Sequence, residues 1–358
     1  MSVALPILKT GGDPPGPTPP PAPRQVVQAG RLVDAHGRTV HDLRLSVTDR
    51  CNYRCVYCMD PDFRYMPKQQ LLSLREYVTV SRICTSLGIE KIRITGGEPT
   101  LYAELGDLIA ELGALPLADL AMTTNGSLLG NMPLARWRQQ GLRRITLSLD
   151  SLRPQRVAEV TRCDATPTTV VEAIRLARDA GFDPIKVNAV VMRGFNDDEI
   201  ADFADFAREH DVDVRLIEFM PLDSSRGWRR ATVVSADEML EVMGRRHDLV
   251  PLDRGNPDST SLNFSFADGG PGRIGIIAPV TRAFCGACSR LRVTAEGKVR
   301  PCLFSHEEWD LKPLLRNGAA DRDVARFIAD SMWTKQAGHG IGSDGFSPPQ
   351  RTMSAIGG

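Results

Sequence analysis

The sequence predicts an α/β fold: a partial, open parallel β/α barrel of about six βα units, followed by a smaller C-terminal domain. Three observations predict it. Apolar, β-rich runs alternate with helical stretches between residues 41 and 220, each run ends in polar or glycine-rich residues, and the alternation fades after about residue 230. Strands separated by helices pair in parallel through right-handed crossovers. Six units fall short of the eight that close a standard barrel, so the barrel is expected to stay open.

Residues 1–28 are dominated by Pro and Gly and hold too few apolar side chains to order themselves, so they read as a flexible tail. The barrel unit follows over 29–255. Its strands are 43–48, 91–95, 120–124, 144–149, 185–192 and 212–220, with helices near 73–87, 104–113, 131–140, 168–180 and 197–209. The polar strand ends are Thr48-Asp49, Thr95-Gly-Gly-Glu-Pro99, Thr123-Thr-Asn-Gly126, Ser148-Leu-Asp-Ser151, Lys186-Val-Asn188 within the fifth strand, and Glu218-Phe-Met-Pro221. Parallel α/β enzymes gather their sites at the carboxyl ends of strands. The C-terminal domain covers 256–337, with β-like runs at 273–278 and 291–294 and a helix near 321–335. A Gly-rich tail, 338–358, ends in Gly357-Gly358.

Lys+Arg and Asp+Glu balance at 44 each in 358 residues. No global field favours nucleic acid or an anionic membrane, so any anion site must be local. No run reaches the roughly 18–20 apolar residues of a membrane span. The N-terminus has neither a basic n-region nor an apolar h-region, so no secretory signal is read and a cytoplasmic location is expected. In a reducing compartment, clustered thiols serve more often as metal ligands or catalysts than as disulfides.

Cys51-Asn-Tyr-Arg-Cys55-Val-Tyr-Cys58 places three cysteines within eight residues. Three thiolates underfill a tetrahedral structural zinc site. They suit a cubane iron–sulfur cluster in which one iron stays open. Polar Asn52 and Arg54 speak against three core cysteines, and Tyr53 and Tyr57 would wall the cluster from water. A second group, Cys285-Gly-Ala-Cys288, is followed after thirteen residues by Cys302, with His306 four residues further on. Its spacing leaves a Cys3His zinc site, a second three-thiol cluster and a metal-free structure all open. Arg290 and Arg292 follow at alternate positions and would share one strand face, where guanidinium forks suit phosphate oxygens.

C-x3-C-x2-C with an aromatic before the last cysteine resembles the signature of the radical S-adenosylmethionine superfamily, and Gly96-Gly-Glu-Pro99 matches its second motif. The resemblance implies that S-adenosylmethionine chelates the open iron and is cleaved to a 5′-deoxyadenosyl radical, with Tyr57, Gly97, Ser148 and Met220 where that family contacts it. From residue 30 onward the chain resembles one branch, the GTP 3′,8-cyclases of molybdenum cofactor biosynthesis. The match is carried by Arg44-Leu-Ser-Val-Thr-Asp-Arg-Cys51, Cys285-x2-Cys288-Ser-Arg-x-Arg292, Arg215-Leu-Ile-Glu-Phe-Met220 and the terminal Gly357-Gly358.

That resemblance implies two 4Fe–4S clusters, on Cys51, Cys55, Cys58 and on Cys285, Cys288, Cys302, and a diglycine, Gly357 and Gly358, that reaches the active site. It makes GTP the substrate, with Thr123 a contact; Arg44, Lys91, Arg93, Lys186, Arg215, Arg290 and Arg292 fall in strands or beside a cluster, where a charge is costly unless paired, so a bound triphosphate would answer them. Internal carboxylates Asp150, Glu98 and Glu218 are the alternative partners for these cations. The resemblance further implies a reductant such as flavodoxin or ferredoxin and a next enzyme, cyclic pyranopterin monophosphate synthase, and it allows a homodimer. The competing readings are a peptide-modifying radical enzyme with an auxiliary cluster and a non-catalytic iron–sulfur or zinc protein. Neither requires the Arg-x-Arg pair or the diglycine.

Overall fold

The computed structural model describes residues 26–28, 30–253, 255 and 258–357. The six expected strands form within two residues of their predicted bounds: β1 (Asp42–Ser46), β2 (Lys91–Thr95), β3 (Asp119–Thr124), β4 (Arg144–Ser148), β5 (Lys186–Val191) and β6 (Asp213–Glu218). Two later strands join them in parallel. β7 (Arg273–Ile277) pairs with β6, and β8 (Arg290–Val293) pairs with β1.

The parallel order is therefore β7-β6-β5-β4-β3-β2-β1-β8, six predicted strands plus one at each edge. The antiparallel strands Ser261–Phe266 and Lys298–Arg300 cover the two flanks. Among the described residues β7 and β8 do not pair with each other, so the barrel stays open between them. Strands of the C-terminal region continue the barrel sheet at both open edges.

Alternation along each strand decides which face is core. Leu43, Leu45, Ile92, Ile94, Leu120, Met122, Ile145 and Leu147 are all fully or almost fully buried. They share one apolar cluster with Ile83, Leu108, Ile109, Ile174 and Phe203 of the surrounding helices. The core is accordingly a shell between sheet and helices, and the alternate residues, Arg44, Arg93, Thr123, Ser148 and Asn188 among them, point into the barrel.

The helices Leu74–Ser86, Leu105–Gly113, Leu134–Gln139, Pro167–Asp179, Ile200–His210 and Asp321–Trp333 match the expected positions. Three more among the described residues were not expected, the shortest being Lys312–Arg316 with Pro313 in its first turn. Pro154–Thr161 begins with Pro in its first turn, and Ala236–Gly244 is started by a capping box of Ser235 and Glu238. The N-terminal boundary also moves. Val26 is buried, and Val27–Gln28 pairs with Arg31–Val33 because Leu32 anchors this ribbon to the core through its N–H to Leu87 O, 2.8 Å.

Candidate active site

The first cysteine loop leaves β1 and is pinned by its neighbours. The N–H groups of Arg54 and Val56 donate to Thr161 O and Val160 O at 2.8 and 2.9 Å, and the Tyr65 hydroxyl donates to Cys51 O at 2.6 Å. The glycine pair after β2 lies flat against this loop. A Cβ on Gly97 would stand 2.2 Å from Arg50 O, and one on Gly96 2.6 Å from Thr48 O. Only glycine permits that approach. Gly97 N–H then donates to Thr48 O and Glu98 N–H to Arg50 O, both at 2.7 Å. The buried Glu98 carboxylate accepts from Thr100 Oγ1, Thr124 Oγ1 and the Asn125 N–H at 2.6 to 2.7 Å, which ties the end of β2 to the end of β3. Tyr57 donates its hydroxyl to Asp150 Oδ2 at 2.7 Å, and the Val190 N–H donates to Asp150 Oδ1 at 2.8 Å. Burial raises Asp150 to about 6.

The second group lies across the barrel opening. Cys285 and Cys288 flank a single turn between β7 and β8, and Cys302 follows Lys298–Arg300. Arg38 donates to Cys285 O at 2.8 Å, and Lys335 donates to Cys288 O at 3.2 Å. All six cysteines line one cavity of about 330 Å³. Burial pushes the Cys51 thiol up to about 11 and Cys58 to about 12, and raises Cys55 well above its ordinary value. Binding as thiolates to a metal relieves that penalty. Burial also works against the Cys288 thiolate, but Arg290 and Lys335 outweigh it and bring that thiol to about 6.

Among the described residues no three Cys, His, Asp or Glu side chains converge on a point fit for a single metal ion. Two triplets of thiols on one cavity suit iron–sulfur clusters that each keep one iron open. His306 is exposed, 3.3 Å from Ser347 Oγ, and is not part of the cavity wall. Arg300 Nη2 donates to Ser305 O at 2.5 Å within a turn that carries His306 outward, so the Cys3His arrangement does not form.

Of the residues expected to meet S-adenosylmethionine, Tyr57, Gly97, Ser148 and Met220 all line the cavity. Of the expected triphosphate set, Arg44, Thr123, Arg290 and Arg292 line it, whereas Lys91, Arg93, Lys186 and Arg215 sit deeper on the same inward faces. Their internal carboxylate partners differ from expectation. Arg44 meets Asp42 at 3.5 Å, Lys186 meets Asp213 at 2.9 Å, and Arg144 pairs with Asp119. Asp150, Glu98 and Glu218 instead accept from hydroxyl and backbone groups.

The interior cations still outnumber those aspartates. Burial, then Arg44, brings both Arg93 and Arg292 down to about 9, and burial brings Arg215 to about 10. Such crowding is relieved by a bound polyanion. Among the described residues Arg93 donates to the Thr123 and Thr146 hydroxyls, at 3.2 and 3.0 Å. The C-terminal tail enters the same space. Gly357 O accepts from Arg292 Nη1 at 2.7 Å, and Ile356 is fully buried beside Leu222 and Phe304. Gly358 lies outside the described residues.

Comparison with known proteins agrees with this layout. Residues 45–207 match the Radical SAM superfamily and residues 212–341 match Molybdenum Cofactor Synthesis C. The chain is 44% identical over 330 residues to GTP 3′,8-cyclase of Streptomyces coelicolor, covering 91% of this chain and 96% of that one. It is 40% identical over 369 residues to the Mycolicibacterium smegmatis enzyme of the same name, covering 100% and 99%. The chain belongs to the GTP 3′,8-cyclase family. Solved structures share the fold: Streptococcus suis SuiB bound to S-adenosylmethionine superposes with TM-score 0.59 at 13% identity, over 82% of this chain and 69% of that one. The anSMEcpe enzyme with bound AdoMet superposes with TM-score 0.52 at 14% identity, over 84% and 82%.

Several residues at the site escaped the sequence reading. His339 lines the cavity, with Nε2 2.7 Å from Pro279 O and Nδ1 accepting from the Ile341 N–H. Arg38 and Lys335 are isolated residues without a motif, and only the fold brings them to the second cysteine group. Cys84 is core within Leu74–Ser86, and Cys163 lies beside the first loop, 3.2 Å from Thr161 Oγ1, outside the cavity wall.

Proposed function

We propose that this cavity holds GTP between the two cysteine triplets and cyclises it to (8S)-3′,8-cyclo-7,8-dihydroguanosine 5′-triphosphate, the first step of molybdenum cofactor biosynthesis. One observation carries the reading. The wall formed by Tyr57, Gly97, Ser148 and Met220 adjoins the first triplet, the Arg290–Arg292 pair adjoins the second, and both face a single cavity. When bound, two 4Fe–4S clusters and S-adenosylmethionine supply the radical chemistry, including hydrogen abstraction from the ribose 3′ carbon, and an open iron for the guanine base.

The chain's own residues do the rest. Gly97 gives S-adenosylmethionine close access to backbone, while Ser148 and Met220 bound its other side. Arg44, Thr123, Arg290 and Arg292 grip the triphosphate, and Lys91, Arg93, Lys186 and Arg215 add positive field from below. Tyr57, locked on Asp150, closes the wall and limits water at the first triplet. Gly357, held through its carbonyl by Arg292, brings the tail against the cavity wall. No helix among the described residues is long and apolar enough to cross a membrane. A cytoplasmic location, a protein reductant such as flavodoxin or ferredoxin, hand-over to cyclic pyranopterin monophosphate synthase, and a homodimer complete the reading.

The test is anaerobic incubation of cluster-loaded protein with S-adenosylmethionine and dithionite, with and without GTP. 5′-Deoxyadenosine together with the cyclised nucleotide supports the reading. Adenosine formation without nucleotide turnover overturns it.

A further inference from the structure

We propose that Lys335 is the charge-balancing residue of the second cysteine triplet, raising the reduction potential of the cluster held there above that of the first. This rests on the reading that Cys285, Cys288 and Cys302 bind a cluster. Lys335 follows the helix Asp321–Trp333 and is only 3% exposed. Its Nζ donates to Cys288 O at 3.2 Å and to Arg290 O at 2.6 Å. Among the described residues no carboxylate lies within ion-pair distance of it. A buried ammonium satisfied by two carbonyls alone is costly, so an anion beside it is needed to hold its charge. Cys288, whose carbonyl this ammonium holds, supplies that anion when it binds a cluster as a thiolate.

Arg38 makes the contrast. It also clamps this region, donating to Cys285 O, Ala337 O and Gln336 O at 2.8 to 2.9 Å. Its charge, however, is already answered by Asp34, with Nε 2.6 Å from Oδ2. Arg38 therefore fixes geometry, while Lys335 brings positive charge that no carboxylate cancels. The first triplet has mixed surroundings: half-buried Arg54 donates to Cys51 O at 2.8 Å, but the buried carboxylates Asp150 and Glu98 stand beside it in the cavity wall. Net charge and hydrogen bonding around the sulfurs set cluster potential. The two sites are thus built with different fields.

The test is an anaerobic potentiometric titration of loaded protein with dithionite, both clusters followed by electron paramagnetic resonance. Lys335→Met should shift the second cluster's reduction equilibrium at least tenfold toward the oxidised form, 59 mV for one electron. The first cluster and GTP-free cleavage of S-adenosylmethionine should not change. Lys335→Arg, which keeps the charge, should stay within about threefold of wild type. A shift under threefold in Lys335→Met, or equal shifts in both variants, overturns the proposal. If Lys335→Met fails to load the second cluster while Lys335→Arg loads it, the charge is required for assembly and the proposal stands; failure of both overturns it in favour of a packing role. Wild-type protein with iron for only one cluster would refute the second-cluster reading itself, independently of Lys335.

Discussion

Gly357→Ala isolates the contribution of the C-terminal tail. Gly357 sits at φ +69°, where an L side chain costs about 1–2 kcal/mol. A Cβ there would stand 2.9 Å from Ser46 Cβ and 3.0 Å from Thr95 Oγ1, both on inward strand faces, so the tail must shift as well as strain. Movement breaks the Arg292 Nη1 bond to Gly357 O, a charge-assisted bond of about 1.5–3 kcal/mol. Together these effects favour the undocked tail by roughly 3 kcal/mol, about a hundredfold in population. Because the tail is terminal and the main core lies elsewhere, the melting temperature should stay within about 2 °C. The assay pairs the rate of nucleotide cyclisation with adenosine formation in the absence of GTP. Cyclisation should fall at least tenfold while GTP-free cleavage persists. A wild-type cyclisation rate, with hydrogen exchange showing residues 352–357 undocked, would refute the view that the tail completes the site.

Further outcomes follow from the same geometry. Cys58→Ser should abolish 5′-deoxyadenosine formation, whereas Cys302→Ser should retain it and lose cyclisation; product analysis by liquid chromatography separates the two. Arg290→Ala should weaken GTP binding by about 1–3 kcal/mol in equilibrium dialysis, and unchanged affinity would show that this guanidinium does not meet the nucleotide. Gly97→Ala drives a methyl into Arg50 O, so the first cysteine loop must move; adenosine formation should drop by at least tenfold while GTP affinity changes less than threefold.

Local signals made the strands and most helices legible. β-Branched runs such as Lys91–Thr95 formed where alternation placed them, because one face of each strand was apolar enough to require burial against helices. The extra helices carried readable signals, Pro154 and Pro313 in first turns and the Ser235 capping box, that the barrel pattern overshadowed. What no local pattern carried was the joining of β7 and β8 to opposite edges of the barrel. β8 pairs with β1 across almost 250 residues of sequence, and nothing in Arg290–Val293 specifies that partner.

The site divides in the same way. The cysteine spacings, the glycine pair and the diglycine were visible because each is a contiguous motif. The true partners of the cations were not. Asp42, Asp119 and Asp213 begin their strands and face inward by alternation, but their pairing depends on register between strands. Glu98, Asp150 and Glu218 were drawn off instead by nearby hydroxyls and backbone N–H groups, which a carboxylate at a strand end meets first. His306 failed as a ligand because the turn after Cys302 faces it outward, a matter of backbone direction that spacing alone does not encode.

The most direct test of the central claim is the iron, sulfide and zinc content of protein purified without oxygen, measured for wild type and for Cys302→Ser. Two open-cornered cubanes facing one cavity require about eight irons and no zinc in the wild type, falling to about four in the variant. Zinc in stoichiometric amount, or about four irons in both proteins, would contradict it.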